Sequence, residues 1–482
     1  MNRSFQKIFE IYVFSFSFFF ASRPISDPDF WFHLKTGQYI IQTRMIPRTD
    51  PFSFTQYGQP WIAHGWLSGA VFYGIYSLLG FNALIFIFAV LTAVAFWIGF
   101  KRADSHLFIR SFATLLGVWT VLPTIGVRPR VFTLLLTSVY LAVLTRYARR
   151  GEGRAIWWLV PLMALWVNLH GGFFVGPMLI GLTIIGIPLD AWAAGDKIGP
   201  LYPRLRTLGF VLVGSLLVGF LNPYGRRIYT FSLEVLQSPI YQKVIVDFIS
   251  PDFHEPELLA LTLLILLTIA AFALSPKRVR PSELLLFLTT LYATLKFQRN
   301  MAILAIVAVP LLADYLQNWL VSTSFGKTFG RSPSADSSRR PILVSLLLLL
   351  PLVAFAAKLK SAVYAPPRQE MIEVPLKAVE YLKEKQITGN TFTDPNIWGG
   401  YLIWALPSNP VYIDGRSVYP DQFLKEYLGI ISGVTDWREP FDRYGVRIAI
   451  VRPKSPLGRE LKDSSDWQQI YQDEMAAVFA RR

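Results

Sequence analysis

Asp27 and Asp29 stand two positions apart around a stiffening proline, in the run Ser26-Asp27-Pro28-Asp29-Phe30-Trp31-Phe32-His33-Leu34-Lys35-Thr36-Gly37. A carboxylate held where water gives way to hydrocarbon has its charged form penalised, which lifts its pKa toward the working range of a general base. Asp27 or Asp29 is therefore the expected base. A competing reading makes Asp29 the N-cap of a helix over Phe30–Ile41, with Trp31, Trp61 and Trp66 forming an interfacial aromatic belt. Both can hold, since a cap needs only one carboxylate. Asp50-Pro51 and Gly58 read as turns without chemistry. His33 joins the substrate-binding set, but His33 and His64 follow no metal-ligand spacing, and no zinc site is expected.

Cations supply the second kind of chemistry. Arg128-Pro129-Arg130, Arg226-Arg227 and Lys296-Phe297-Gln298-Arg299-Asn300 lie in loops where few positive charges belong. An arginine at a membrane surface holds phosphate bidentately, so Arg128, Arg130, Arg226 and Arg299 point to a lipid-linked phosphate or pyrophosphate; head-group contact by snorkelling side chains is the bland alternative. In Trp166-Val167-Asn168-Leu169-His170-Gly171-Gly172-Phe173, His170 sits at the end of an apolar run, suited to a phosphate, a sugar hydroxyl or proton transfer, or merely to capping. Farther on, Asp394-Pro395-Asn396-Ile397-Trp398-Gly399-Gly400-Tyr401 and Tyr412-Ile413-Asp414-Gly415-Arg416 each follow an expected strand, where α/β folds bind ligands. Asp414 and Arg416 are candidates there, although a turn closed by an Asp414–Arg416 pair explains the same residues. Neither G-x-x-x-x-G-K-[ST] nor G-x-G-x-x-G occurs, against nucleotide-driven transport and a dinucleotide cofactor.

The elements that position these residues follow from composition. With 53% hydrophobic and only 16% charged residues among 482, the chain lacks the polar surface of a water-soluble globule. It reads as a membrane protein. Cysteine is absent, which excludes disulfides, thiol chemistry and Cys-ligated metals. The net charge of +15 is first a topology or anionic-lipid signal; nucleic acid is not an expected partner. Eleven apolar runs of spanning character fall near 8–22, 70–100, 111–123, 131–145, 155–169, 173–193, 207–221, 257–274, 283–296, 301–320 and 341–358. The first reads as a signal anchor, since no A-x-A cleavage site follows it.

Alternate loops carry seventeen Lys and Arg against eleven, which places the N-terminus in the cytoplasm and, with an odd span count, the chain after 358 outside. A Ser-rich stretch over 322–338 reads as a cytoplasmic linker. The expected architecture is mainly α: a polytopic bundle over 1–358, with a first outer loop at 23–66, followed by an extracytoplasmic α/β domain over 359–482. In that domain helices are expected near 375–386, 398–404, 420–430 and 437–443, and strands at 390–393, 411–413, 447–451, 469–472 and 476–480.

A short first span, an acidic outer loop, many further spans and an outer C-terminal domain together resemble the GT-C superfamily of integral-membrane glycosyltransferases. More closely, Asp27-Pro28-Asp29-Phe30-Trp31-Phe32-His33-Leu34, Trp166…Asn168…His170-Gly171 and Ile413-Asp414-Gly415-Arg416 are similar to a set of uncharacterised bacterial membrane proteins. The resemblance implies a sugar donor on polyprenyl phosphate or pyrophosphate, a first-loop acid as base, and a glycan, lipid or protein acceptor outside the plasma membrane. The chain departs from protein mannosyltransferases in having Asp-Pro-Asp instead of adjacent acids, and it lacks the W-W-D-Y-G signature of oligosaccharyltransferases, which disfavours peptide asparagine as acceptor. An inverting mechanism needs no cofactor, and a divalent cation is compatible but dispensable if arginines stabilise the leaving phosphate. A lipid-linked glycan transporter or assembly scaffold is the alternative, disfavoured by span interiors nearly free of charge.

Overall fold

The computed structural model describes residues 3–151, 153–244, 246–323 and 374–482. The expected linker at 322–338, apart from its first two residues, the last expected span at 341–358 and the boundary at 358 lie outside the described residues. The helices in chain order begin with α1 (Arg3–Ala21), α2 (Asp29–Thr43), α3 (Trp66–Arg102), α4 (Leu107–Val121), α5 (Arg130–Arg150), α6 (Leu159–Leu169) and α7 (Val175–Ala194). They continue with α8 (Tyr202–Val218), α9 (Arg227–Gln237), α10 (Pro239–Val244), α11 (Leu259–Leu274), α12 (Pro281–Lys296) and α13 (Met301–Ser322). Beyond these come β1 (Thr391–Asp394), β2 (Ile448–Val451), β3 (Trp467–Gln472) and β4 (Ala477–Arg481), with α14 (Leu376–Glu384), α15 (Ile397–Ala405), α16 (Asp421–Ser432), α17 (Arg438–Arg443) and α18 (Pro456–Asp463).

Two compact units divide the chain. One draws on Met1–Arg23, Ile85–Gly225 and Ile245–Pro366; the other on Pro24–Leu84, Arg226–Val244 and Pro367–Arg482. Among the described residues the first unit contains helices and no strand. Its centre is α13, buried from Ile303 to Ala313 and packed by α4, α5, α11 and α12. Large apolar side chains such as Leu217 on α8, Leu266 on α11 and Trp192 on α7 stay exposed, as lipid-facing surfaces require. Among the described residues, six helical segments are long and apolar enough to cross a bilayer: 66–102, 130–150, 171–194, 199–221, 256–274 and 298–322. The protein is a multi-pass membrane protein. The run expected as one span over 70–100 is interrupted at Gly80, whose φ of 76° and ψ of −176° only glycine adopts at low cost.

The second unit is built on a four-stranded sheet in the order β1-β2-β4-β3, with β1 parallel to β2 and the other pairs antiparallel. The strand expected at 411–413 is reduced to single-residue parallel pairings of Val411 with Thr391 and Ser53. Helix α18, absent from the sequence reading, fills the connection after β2. Phe392, Tyr412, Phe423, Tyr427 and Phe441 form the aromatic core. The first outer loop is part of this unit: Phe54 N–H donates to Val411 O at 3.1 Å and the Thr55 hydroxyl to Tyr412 O at 2.6 Å. Because β1, β2 and Val411 run parallel, their carboxyl ends, and the turns 394–396, 414–416 and 452–455, leave the sheet at one edge.

Candidate active site

The start of α2 separates the two first-loop acids. Pro28 is the N-cap and makes no side-chain bond, whereas Asp27 Oδ1 accepts the Asp29 N–H at 3.1 Å. Asp27 thus satisfies an amide that the helix itself leaves unpaired. Asp29 occupies the first helical turn, so the expected capping role belongs to its neighbour. Its carboxylate faces a different partner: a Cβ built on Gly415 would lie 2.4 Å from Asp29 Oδ1. Glycine at 415 is what allows that approach.

Two further glycines bring these segments together. A Cβ on Gly399 in α15 would meet Ile413 O at 1.9 Å, and one on Gly400 would meet Pro28 O at 3.3 Å. Trp31 of α2 packs edge-on to Tyr401 of α15 with ring centres 5.0 Å apart. Where α2 crosses α3, a Cβ on Gly37 would come 1.9 Å from Gly69 O. Helix α2 is thereby fixed between glycine-lined neighbours, and Asp29 with it.

Beneath Gly415 lies a buried charge cluster. Arg416 Nε and Nη2 donate to Asp414 at 2.9 and 2.7 Å, and Nη1 donates to Asp50 Oδ1 at 2.6 Å. Phe52 N–H and the Ser53 hydroxyl donate to Asp50, and the Tyr419 hydroxyl donates to Asp414 Oδ2 at 3.1 Å. The guanidinium lies against both Phe52 and Trp61, 5.1 and 4.6 Å from the ring centres. Asp50, Asp414 and Arg416 are all buried. The Asp414–Arg416 pairing foreseen as the plain alternative is present, and it leaves the arginine fork engaged with protein. Asp50, read from sequence as a simple turn, is its second anchor. Burial and the Asp414 charge push the Tyr419 hydroxyl well above its ordinary range.

His33 follows Asp29 by one helical turn. Desolvation and the nearby His64 push its imidazole down to about 3, so it is neutral at physiological pH. Among the described residues no group of three or more His, Cys, Asp or Glu side chains is placed to hold a metal ion.

The helical unit holds Arg128, Arg130, Arg299 and His170. Arg130 pairs with Asp247, and the Arg299 guanidinium stacks 4.8 Å from the centre of the Phe248 ring. Burial opposes ionisation of Asp247, yet Arg130, Arg299 and Arg128 together hold it below the usual carboxylate range. The fold gathers these three arginines around one carboxylate that sequence reasoning passed over. One buried donor, Arg130 Nη1, has no protein partner among the described residues. Arg226 belongs to the sheet unit and is exposed ahead of α9. His170 ends α6, and its Nδ1 meets the Thr133 hydroxyl at 2.8 Å and accepts the Gly172 N–H at 3.1 Å. Trp166 Nε1 donates to that same hydroxyl at 2.9 Å, so the relay assigns the His170 proton to Nε2.

No protein-family model matches the sequence, and no curated protein matches it. Solved structures do. The oligosaccharyltransferase of Archaeoglobus fulgidus in its apo form aligns over 93% of this chain and 70% of its own, with a TM-score of 0.56 at 12% identity. ArnT from Cupriavidus metallidurans bound to undecaprenyl phosphate aligns over 100% of this chain and 98% of its own, at a TM-score of 0.52 and 13% identity. The arabinofuranosyltransferase AftD from Mycobacteria also covers 100% of this chain, which spans 42% of its length, at a TM-score of 0.56 and 14% identity. The chain shares the overall fold of these solved structures.

Proposed function

We propose that the protein is a membrane glycosyltransferase that moves a sugar from a polyprenyl-phosphate-linked donor to an acceptor outside the plasma membrane. The observation that carries this reading is Asp29 seated against Gly415, on a loop locked by the Asp50–Arg416–Asp414 cluster. A carboxylate so placed has the stiffness that catalysis by positioning needs. In the proposed step Asp29 takes the proton of the acceptor hydroxyl while its oxygen bonds to the anomeric carbon. The bond from that carbon to the phosphate oxygen breaks on the opposite face, and polyprenyl phosphate departs with the electron pair, which inverts the centre.

The leaving phosphate needs charge stabilisation more than a proton, and Arg128, Arg130 and Arg299 are assigned that role. Supporting it, Arg130 Nη1 is buried without a protein partner among the described residues, and Arg299 lies close to both Arg130 and Asp247. Neutral His33 is assigned to a sugar hydroxyl. Arg416 and Asp414 act as positioning residues, since their polar atoms are spent on each other, on Asp50 and on Tyr419. The undecaprenyl phosphate of the ArnT structure favours a lipid-borne donor.

Incubation of the purified protein with a panel of polyprenyl-phosphate sugars and a hydroxyl acceptor mixture tests the proposal. Mass spectrometry should find free polyprenyl phosphate released from one donor class. A panel that binds but is never turned over would replace this reading with a transporter or scaffold.

A further inference from the structure

Six cations converge at one end of the helical unit, at the opposite end of α5 from Arg130. Helices α3 and α5 both finish in basic residues there, and the turn before α6 adds another. Together they enclose a cavity of about 640 Å³ lined by Lys101, Arg102, Arg146, Arg149, Arg150 and Arg154. Asp104 is the one carboxylate in the lining among the described residues. Glu10 of α1 partners Lys101 at 3.1 Å, and Asp104 partners Arg149 at 2.8 Å. Arg146, Arg150 and Arg154 are exposed to the cavity mouth. Arg102 donates from Nη1 to Ile306 O at 3.2 Å, while its Nε is buried with no partner among the described residues.

Ordinary explanations cover part of this. Cations in a helix's last turn offset the carbonyl dipole, and the positive-inside rule places basic residues on one side of a membrane. Neither makes six of them line one concave wall, nor orphans a buried guanidinium nitrogen. The rest of the lining is partly apolar, with Trp97, Ile98, Ala142, Val143 and Ile156 on the same segments as the cations. Charge at the mouth and hydrocarbon along the wall match a molecule that is anionic at one end and apolar at the other.

We infer that this cavity binds the head group of an anionic phospholipid. The phosphodiester lies among the arginines, and the glycerol and first methylenes lie along Trp97 and Val143. Inorganic phosphate would use only the cationic half. The inference is independent of the catalytic proposal, and the measurement is binding, not turnover.

Native mass spectrometry of the detergent-purified chain, titrated with phosphatidylglycerol and with phosphatidylcholine, tests it. The wild type should retain phosphatidylglycerol in preference. The double variant Arg146→Gln/Arg150→Gln should lose roughly 25-fold in phosphatidylglycerol affinity, about five-fold for each surface cation removed. Arg146→Lys/Arg150→Lys should keep most of it. Arg459→Gln/Lys462→Gln, which makes the same charge change on exposed positions of α18, should bind like wild type. Equal retention of the two lipids, unchanged binding by the first double variant, or an equal loss in the α18 control would overturn the inference. Displacement of the lipid by millimolar inorganic phosphate would also overturn it, leaving a plain phosphate site.

Discussion

Arg416 engages protein carboxylates through every side-chain nitrogen. It is buried, and both of its carboxylate partners are buried with it. Breaking such a cluster strands a charge away from water. Arg416→Gln leaves Asp50 and Asp414 buried without their cation and should therefore lower unfolding stability by about 3–5 kcal/mol, measured by thermal denaturation in detergent. A stability equal to wild type would show that the cluster does not hold the loop. Sequence could not have shown this role for Asp50, because Arg416 lies 366 positions away and Asp-Pro alone is an ordinary turn. Asp27 and Asp29 were legible as a pair, but which one caps the helix depends on backbone angles at Pro28 that composition does not set. His33 carries a pH signature. Its folded pKa of about 3 lies below its ordinary 6.5, so between those values the unfolded chain binds more protons. The stability this contributes is complete above pH 6.5 and is lost as pH falls toward 3. Melting temperature should fall over that window, and His33→Gln should flatten the fall; a variant that follows pH as wild type does would exclude His33 as a source.

Among the elements, close helix crossings do the positioning, and glycine makes them. Gly399 of α15 sits against the backbone of Ile413 and Asp414, where a Cβ would be 1.9 Å from Ile413 O. Gly399→Ala should push the 413–416 segment from its seat, costing about 1–3 kcal/mol and lowering turnover as Gly415 moves from Asp29. Gly181 of α7, where a Cβ meets nothing within 4 Å, is the control, and Gly181→Ala should be neutral or mildly stabilising. Equal behaviour of the two variants in stability and turnover would dismiss the crossing as a constraint. Hydropathy made the helical segments readable because each must bury or shield its apolar side chains. The break at Gly80 was hidden, since a glycine within a long apolar run satisfies the same hydropathy whether bent or straight. The strand expected at 411–413 reflected local β preference. The fold uses that stretch to bridge β1 and the first loop through single pairings, and this depends on Ser53.

At the scale of the whole molecule, the architecture was legible from apolar runs, the acidic first loop and the return of charge after residue 374, whereas Asp247 beside the arginines and the Asp50–Arg416 pair depend on long-range contacts. The excess of Lys and Arg in alternate loops gives an expected orientation with the N-terminus inside. Alkaline phosphatase fused after Arg482 should then be active in intact cells, and activity restricted to a cytoplasmic reporter at the same position would reverse the topology. The central claim is that Asp29 is the base of a sugar transfer, and its turnover measurement is the most direct test. In the polyprenyl-phosphate-sugar assay Asp29→Asn preserves shape and helix start but removes the basic oxygen, so turnover should fall by roughly 10²–10⁴ while the fold survives. Asp27→Asn keeps an oxygen to accept the Asp29 N–H and should retain turnover near wild type. Full activity in Asp29→Asn, or the large loss appearing in Asp27→Asn instead, would contradict the account.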